Sequence, residues 1–142
     1  TMVHGIHAAA IRENPLEVVG FRGFTTYRYT EAAVHYPGDL SNCTACHTGS
    51  SYTLPLADGV LGITVDTGAD RADPADDVVV TPTAAVCSSC HDDQVANSHM
   101  TSNGGNFATS QAAIDSGEVV EECSVCHGSG RNSDVSKVHN PR

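Results

Sequence analysis

Cys87-Ser88-Ser89-Cys90-His91 shares its pattern with Cys43-Thr44-Ala45-Cys46-His47 and Cys123-Ser124-Val125-Cys126-His127, so Cys-x-x-Cys-His occurs three times. Two thiols at this spacing can add across the two vinyl groups of a haem, and the histidine that follows coordinates the iron from one face. The three motifs consume all six cysteines, leaving none for a disulfide or a nucleophile. Covalent attachment of three c-type haems is therefore expected at Cys43 and Cys46, Cys87 and Cys90, and Cys123 and Cys126, with His47, His91 and His127 as proximal ligands.

Other uses of these residues fit less well. Four thiolates from two pairs would make a tetrahedral zinc site, but a third pair would then stand alone and each following histidine would lack a purpose. Redox dithiols do not require that histidine either.

Composition points the same way. Leu, Ile, Val and Phe together supply only 28 of the 142 residues, and tryptophan is absent. That fraction lies near the limit below which a charged chain fails to fold alone. Three apolar porphyrins tied to separate segments would supply the missing interior, as a structural metal does for a small domain. The expected fold class is mostly irregular, with short α-helices and at most a small β-hairpin, as one trihaem domain over residues 1–142.

The formal charge of −10 makes nucleic acid an unsuitable partner. Lys137 is the sole lysine beside six arginines, so no basic patch for anionic lipid is expected. No apolar run has the length of a membrane span, and no charged segment followed by an apolar one opens the sequence. Because haem is normally joined to such motifs outside the cytoplasm, the chain is expected to be exported and its signal sequence removed.

Met2 to Ala10 reads as a helix stopped by Asn14-Pro15. His4 and His7, three apart, then share a face. Residues 16–36 read as an irregular extended segment whose aromatics, Phe21, Phe24, Tyr27 and Tyr29 among them, would pack on porphyrin. His35 precedes the turn signal Tyr36-Pro37-Gly38 and is the weakest ligand candidate. Alternation at Val60 to Val65 and the β-branched run Val78-Val79-Val80-Thr81 suggest a two-stranded excursion. Asp66, Asp70, Asp73, Asp76 and Asp77 join the two strands. Their spacing does not match an EF-hand, so a solvated acidic loop is expected in preference to calcium.

Ala84 to Met100 reads as one helix through the second motif, with His91 and His99 about 12 Å apart along its axis. They would either serve different haems or flank one, and Met100 is a weaker axial candidate. A helix is expected over Ser110 to Glu122, and His139 in the C-terminal tail is a further ligand candidate. The distal candidates are thus His4, His7, His35, His99 and His139, five for three positions. With enough histidines to close every site, six-coordinate electron-transfer haems are expected, not an enzyme with an open iron.

His4-Gly5-Ile6-His7, Tyr36-Pro37-Gly38 ahead of the first motif, His99-Met100 and Gly104-Gly105-Asn106-Phe107 after the second, and Val138-His139 after the third carry a family resemblance. In that order they resemble the pentahaem domains of outer-surface decahaem cytochromes from metal-respiring bacteria. The resemblance spans nearly the whole chain. It implies closely spaced bis-histidine haems at the cell surface or outside the cell, passing electrons to other cytochromes or extracellular acceptors. By position it favours His4, His7, His99 and His139 as distal ligands and lends none to His35.

The family domains carry five haems, whereas three motifs are present here. The two that would precede His4 are missing, which leaves one of His4 and His7 spare. Haem edges exposed at both ends would let copies stack head to tail, and such a contact, if it does not close, makes a filament. The expectation is a repeating subunit of an extracellular cytochrome filament. The alternatives are a soluble monomeric shuttle, which differs only in assembly, and a multihaem reductase, which needs a five-coordinate haem.

Overall fold

Apolar runs in this sequence are short and broken by glycine and proline, and the elements they form are correspondingly short. The computed structural model describes residues 1–20 and 25–139. Helix α1 (Met2–His7) is followed by a tight turn in which Ile11 and Arg12 N–H donate to the Ala8 carbonyl at 2.9 and 3.1 Å. Its buried Gly5 faces Leu16, whose side chain lies 3.0 Å from where a Cβ would stand.

Leu16 opens a feature that the sequence reading missed. Strands β1 (Leu16–Val19) and β2 (Thr26–Tyr29) form an antiparallel hairpin with Leu16 opposite Tyr29 and Val19 opposite Thr26. The expected irregular segment is thus replaced by a strand pair, and the described residues form two hairpins where at most one was expected. Burial along β1 alternates, with Leu16 and Val18 half-buried and Glu17 and Val19 facing out. Phe21 and Phe24 lie outside the described residues.

The second hairpin is the anticipated one. Strands β3 (Ile63–Asp66) and β4 (Val78–Val80) pair antiparallel, with Ile63 opposite Val80 and an irregularity between Thr64 and Asp66. In the acidic connection the carboxylates accept backbone N–H groups: Asp66 from Gly68, Asp70 from Ala72, Asp73 from Ala75, and Asp76 from both Ala69 and Asp70. These oxygens close local turns.

The expected helix through the second motif is two helices. Thr81-Pro82 starts α2 (Pro82–Cys87), which ends at the first cysteine. After the motif, Asp93 caps α3 (Gln94–Ser102) by accepting from Val95 and Ala96 N–H at 2.8 and 2.9 Å. Asp93 is itself a start signal, and it breaks the continuous helix that periodicity alone suggested. The expected helix over 110–122 shortens to α4 (Gln111–Asp115), because Gly117 turns the chain with φ of +75°. Two single-turn helices follow, α5 (Ser124–His127) and α6 (Val135–Val138).

The apolar core is small in every sense. Val80, Ala84, Ala85 and Met100 are buried together, with Ile63, Cys87, Ala96 and Phe107 packed against them. Glu121, just ahead of the third motif, fastens its own segment to the start of α2. Its carboxylate accepts the Thr81 hydroxyl at 2.6 Å and the Thr83 and Ala84 N–H groups at 2.8 and 2.7 Å, serving donors that a helix N-terminus otherwise leaves unpaired. Glu121→Ala is expected to cost about 2 kcal/mol in denaturant unfolding, and Glu121→Gln, which keeps one acceptor oxygen, less. Gly104 marks a second tight crossing: its φ is +85°, and a Cβ there would collide with the Val120 carbonyl oxygen.

Candidate metal centres

All three motifs have the same backbone turn. The histidine N–H donates to the carbonyl of the first cysteine at 2.9 Å in each, from His47 to Cys43, from His91 to Cys87 and from His127 to Cys123. One helical turn thereby gathers two thiols and an imidazole.

Four of the thiols are shifted away from redox exchange, which needs a lowered pKa. Burial pushes Cys87 up to about 11, with the nearby Cys123, Glu121 and Cys90 adding to the rise. Burial also raises Cys43, Cys90 and Cys123. Among the described residues, no three or more His, Cys, Asp or Glu side chains gather as a metal cluster would, so the cysteine pairs do not converge as zinc would require.

The histidines do come together, in pairs. His4 faces His47 with ring centres 5.8 Å apart, His91 faces His139 at 5.9 Å, and His99 faces His127 at 6.0 Å. Each pair joins one motif histidine to one of the lone histidines. Two imidazoles sharing a metal, each with nitrogen about 2.0–2.1 Å from it and ring centre about 1 Å further back, stand about 6 Å apart. Rings on a common axis rotate freely about it, so the interplanar angles of 46°, 61° and 79° are all compatible with that arrangement. The donor set therefore fits three irons, each beside its own pair of thiols.

A family model described as outer membrane cytochrome MtrC/MtrF-like, domains II/IV, matches residues 1–140. The chain belongs to this family. No curated protein and no solved structure matches it significantly. Membership in the MtrC/MtrF-like cytochromes agrees with the resemblance read from the motifs, and it makes c-type haem the cofactor and electron transfer at the cell surface the setting. Among the described residues no helix is long and apolar enough to cross a membrane.

In this MtrC/MtrF-like chain the second and third motifs exchange partners. His99, on the helix after the second motif, meets the third motif's His127. His139, at the end of α6 after the third motif, meets the second motif's His91. His7 joins no histidine pair among the described residues; it stacks on Tyr36 with ring centres 4.9 Å apart. His35 is exposed and also joins no such pair.

Hydrogen bonds orient several rings. His127 Nδ1–H donates to the Ser133 carbonyl at 3.0 Å and His139 Nδ1–H to the Val135 carbonyl at 3.3 Å. A carbonyl only accepts, so in both rings Nδ1 carries the proton and Nε2 presents its lone pair. His47 Nδ1 lies 3.3 Å from the Ser51 hydroxyl. Burial lowers the pKa of His4, which favours the neutral, metal-binding form.

Asp134 holds the helix that carries His139. It accepts the Gly130 and Ser136 N–H groups at 2.6 and 2.8 Å and the Ser136 hydroxyl at 2.7 Å, and the Ser136 hydroxyl leads in lowering its carboxyl pKa. A carboxyl depressed by folding stabilises the fold fully above its unfolded pKa, near 3.8, and loses that contribution as pH falls through the folded value. Protection of the Gly130 and Ser136 amides, measured against the free-chain exchange rate at the same pH, is expected to fall on acidification below about pH 4, and in Asp134→Asn to be low already at neutral pH.

A clamp that the sequence did not announce ties the segment after α1 to the second motif. Arg12 Nη1 donates to the Ser88 and Ser89 carbonyls at 2.9 and 2.6 Å, and its Nη2 lies 3.4 Å from Asp92. Asp92 accepts the Glu13 and Asn14 N–H groups at 3.0 and 2.7 Å. Burial works to raise its carboxyl pKa, but these amides and Arg12 hold it below the ordinary range. No local pattern announces a pair so far apart in sequence.

Proposed function

We propose that this chain passes electrons along three bis-histidine c-type haems. Haem would be joined to Cys43 and Cys46, to Cys87 and Cys90, and to Cys123 and Cys126. The axial pairs would be His47 with His4, His91 with His139, and His127 with His99. The observation that carries this reading is the separation of about 6 Å in each pair, between a motif histidine and a histidine from elsewhere in the chain.

Bound haem supplies iron that changes oxidation state at a protein-tuned potential. The paired histidines would hold that iron from both sides, so that little would rearrange when charge moves. The Nδ1 bonds of His127 and His139 would leave Nε2 as the nitrogen free to bind iron. Since each motif histidine has a partner, the pairs favour an electron carrier over a reductase, which needs an open iron.

Intact mass of the purified holoprotein should exceed that of the polypeptide by three haems, and the oxidised and reduced spectra should be wholly low-spin. A lower haem count, or cyanide binding at rest, would overturn this.

Assembly is the finer part of the proposal: copies stack into an extracellular filament and exchange electrons end to end. Its support is local. His7, outside any histidine pair, lies on the same short helix as His4, where Met2 and Val3 are more than half exposed at 53% and 57%. Sedimentation should show concentration-dependent polymers, whereas monomers at every concentration would favour a soluble shuttle.

A further inference from the structure

The Arg12–Asp92 pair is more than a fastening. Its two side chains are only 11% and 8% exposed, so each charge is screened little by water. The guanidinium and the carboxylate are also spent on different things. Arg12 turns its Nη1 donors to the Ser88 and Ser89 carbonyls, the two residues between Cys87 and Cys90. Asp92 follows His91 in sequence, yet its oxygens are turned toward Arg12 and the Glu13 and Asn14 amides. The positive end of the pair thus faces the attachment turn, and the negative end is neutralised by backbone N–H groups.

We infer that Arg12 and Asp92 are positioning residues that set the reduction potential of the second haem, the cation at the attachment turn favouring the reduced state and the carboxylate restraining that effect. The inference rests on the assignment of haem to Cys87, Cys90 and His91. Reduction adds one electron to the iron and breaks no bond, so a fixed nearby charge acts on the equilibrium directly. Removing the cation leaves a buried carboxylate unopposed and lowers the potential. Removing the anion leaves a buried guanidinium unopposed and raises it.

The test is a redox titration of the holoprotein with each haem followed through its own assigned haem-methyl resonances. At fixed applied potential, Arg12→Gln should lower the reduced-to-oxidised ratio of the second haem about tenfold and Asp92→Asn should raise it about tenfold, about 59 mV each way for a one-electron couple. The double variant should return near wild type, with the first and third haems moving far less.

A purely structural clamp gives another pattern: both single variants loosen the same turn and shift the second haem in the same direction. That outcome, no shift, or equal shifts at all three haems would overturn the inference while leaving the trihaem reading intact. Arg12→Lys guards against misfolding, since it keeps the charge and should keep the potential even where stability falls. A wild-type protein without haem on the second motif would overturn both readings.

Discussion

In His139→Ala holoprotein, one haem in three is expected to become high-spin and to bind carbon monoxide and cyanide, while the other two stay low-spin. The loss falls on the second haem, because His139 stands opposite His91 with ring centres 5.9 Å apart. His99→Ala should do the same at the third haem and His4→Ala at the first. His7→Ala and His35→Ala should leave all three spectra unchanged, since neither faces a motif histidine among the described residues. Replacement by methionine instead of alanine should keep the haem six-coordinate and raise its potential by a sizeable part of the roughly 0.8 V range that axial ligation and surroundings command. Electronic absorption in the presence of carbon monoxide reads the first effect, and potentiometric titration the second.

The other large effect concerns folding itself. A protein with serine at all six cysteines should show no cooperative thermal transition and should exchange its amide protons as an unfolded chain does. The physical reason is the poverty of the protein interior. Among the described residues the buried apolar side chains are Ala8, Ala9, Leu54, Val79, Val80, Ala84, Ala85 and Met100, half of them alanine, so little apolar area offsets the entropy of ordering the backbone. The exchanged partners matter here as well. Haem at the second motif would tie α2 to α6, and haem at the third would tie α5 to α3, so each iron would close a long loop of chain. A cooperative transition retained by the six-serine chain would show that the polypeptide supplies its own core.

Chemistry that must be local was legible in the sequence. Two thiols and an imidazole have to lie within one turn to meet a porphyrin, so the motifs are contiguous and readable at Cys43, Cys87 and Cys123. The distal candidates were readable as a set, because histidines outside the motifs are few. Their pairing was not, since it is tertiary. His91 and His99 read as neighbours on one helix, yet Asp93 starts a new helix between them and each ring finds its partner elsewhere. The hairpin of Leu16–Val19 and Thr26–Tyr29 was obscured by the glycines and arginines around it, although Leu16 and Val18 do follow the two-residue alternation of a half-buried strand. Arg12 and Asp92 left no signal, because an isolated arginine and an isolated aspartate acquire meaning only when the fold brings them together.

Diffraction data from holoprotein crystals, collected at the iron absorption edge, would locate each metal without reference to the polypeptide. Three anomalous peaks are expected per chain, one between His4 and His47, one between His91 and His139, and one between His99 and His127. A peak bound by His7 or His35, or a motif histidine facing an open position, would contradict the assignment.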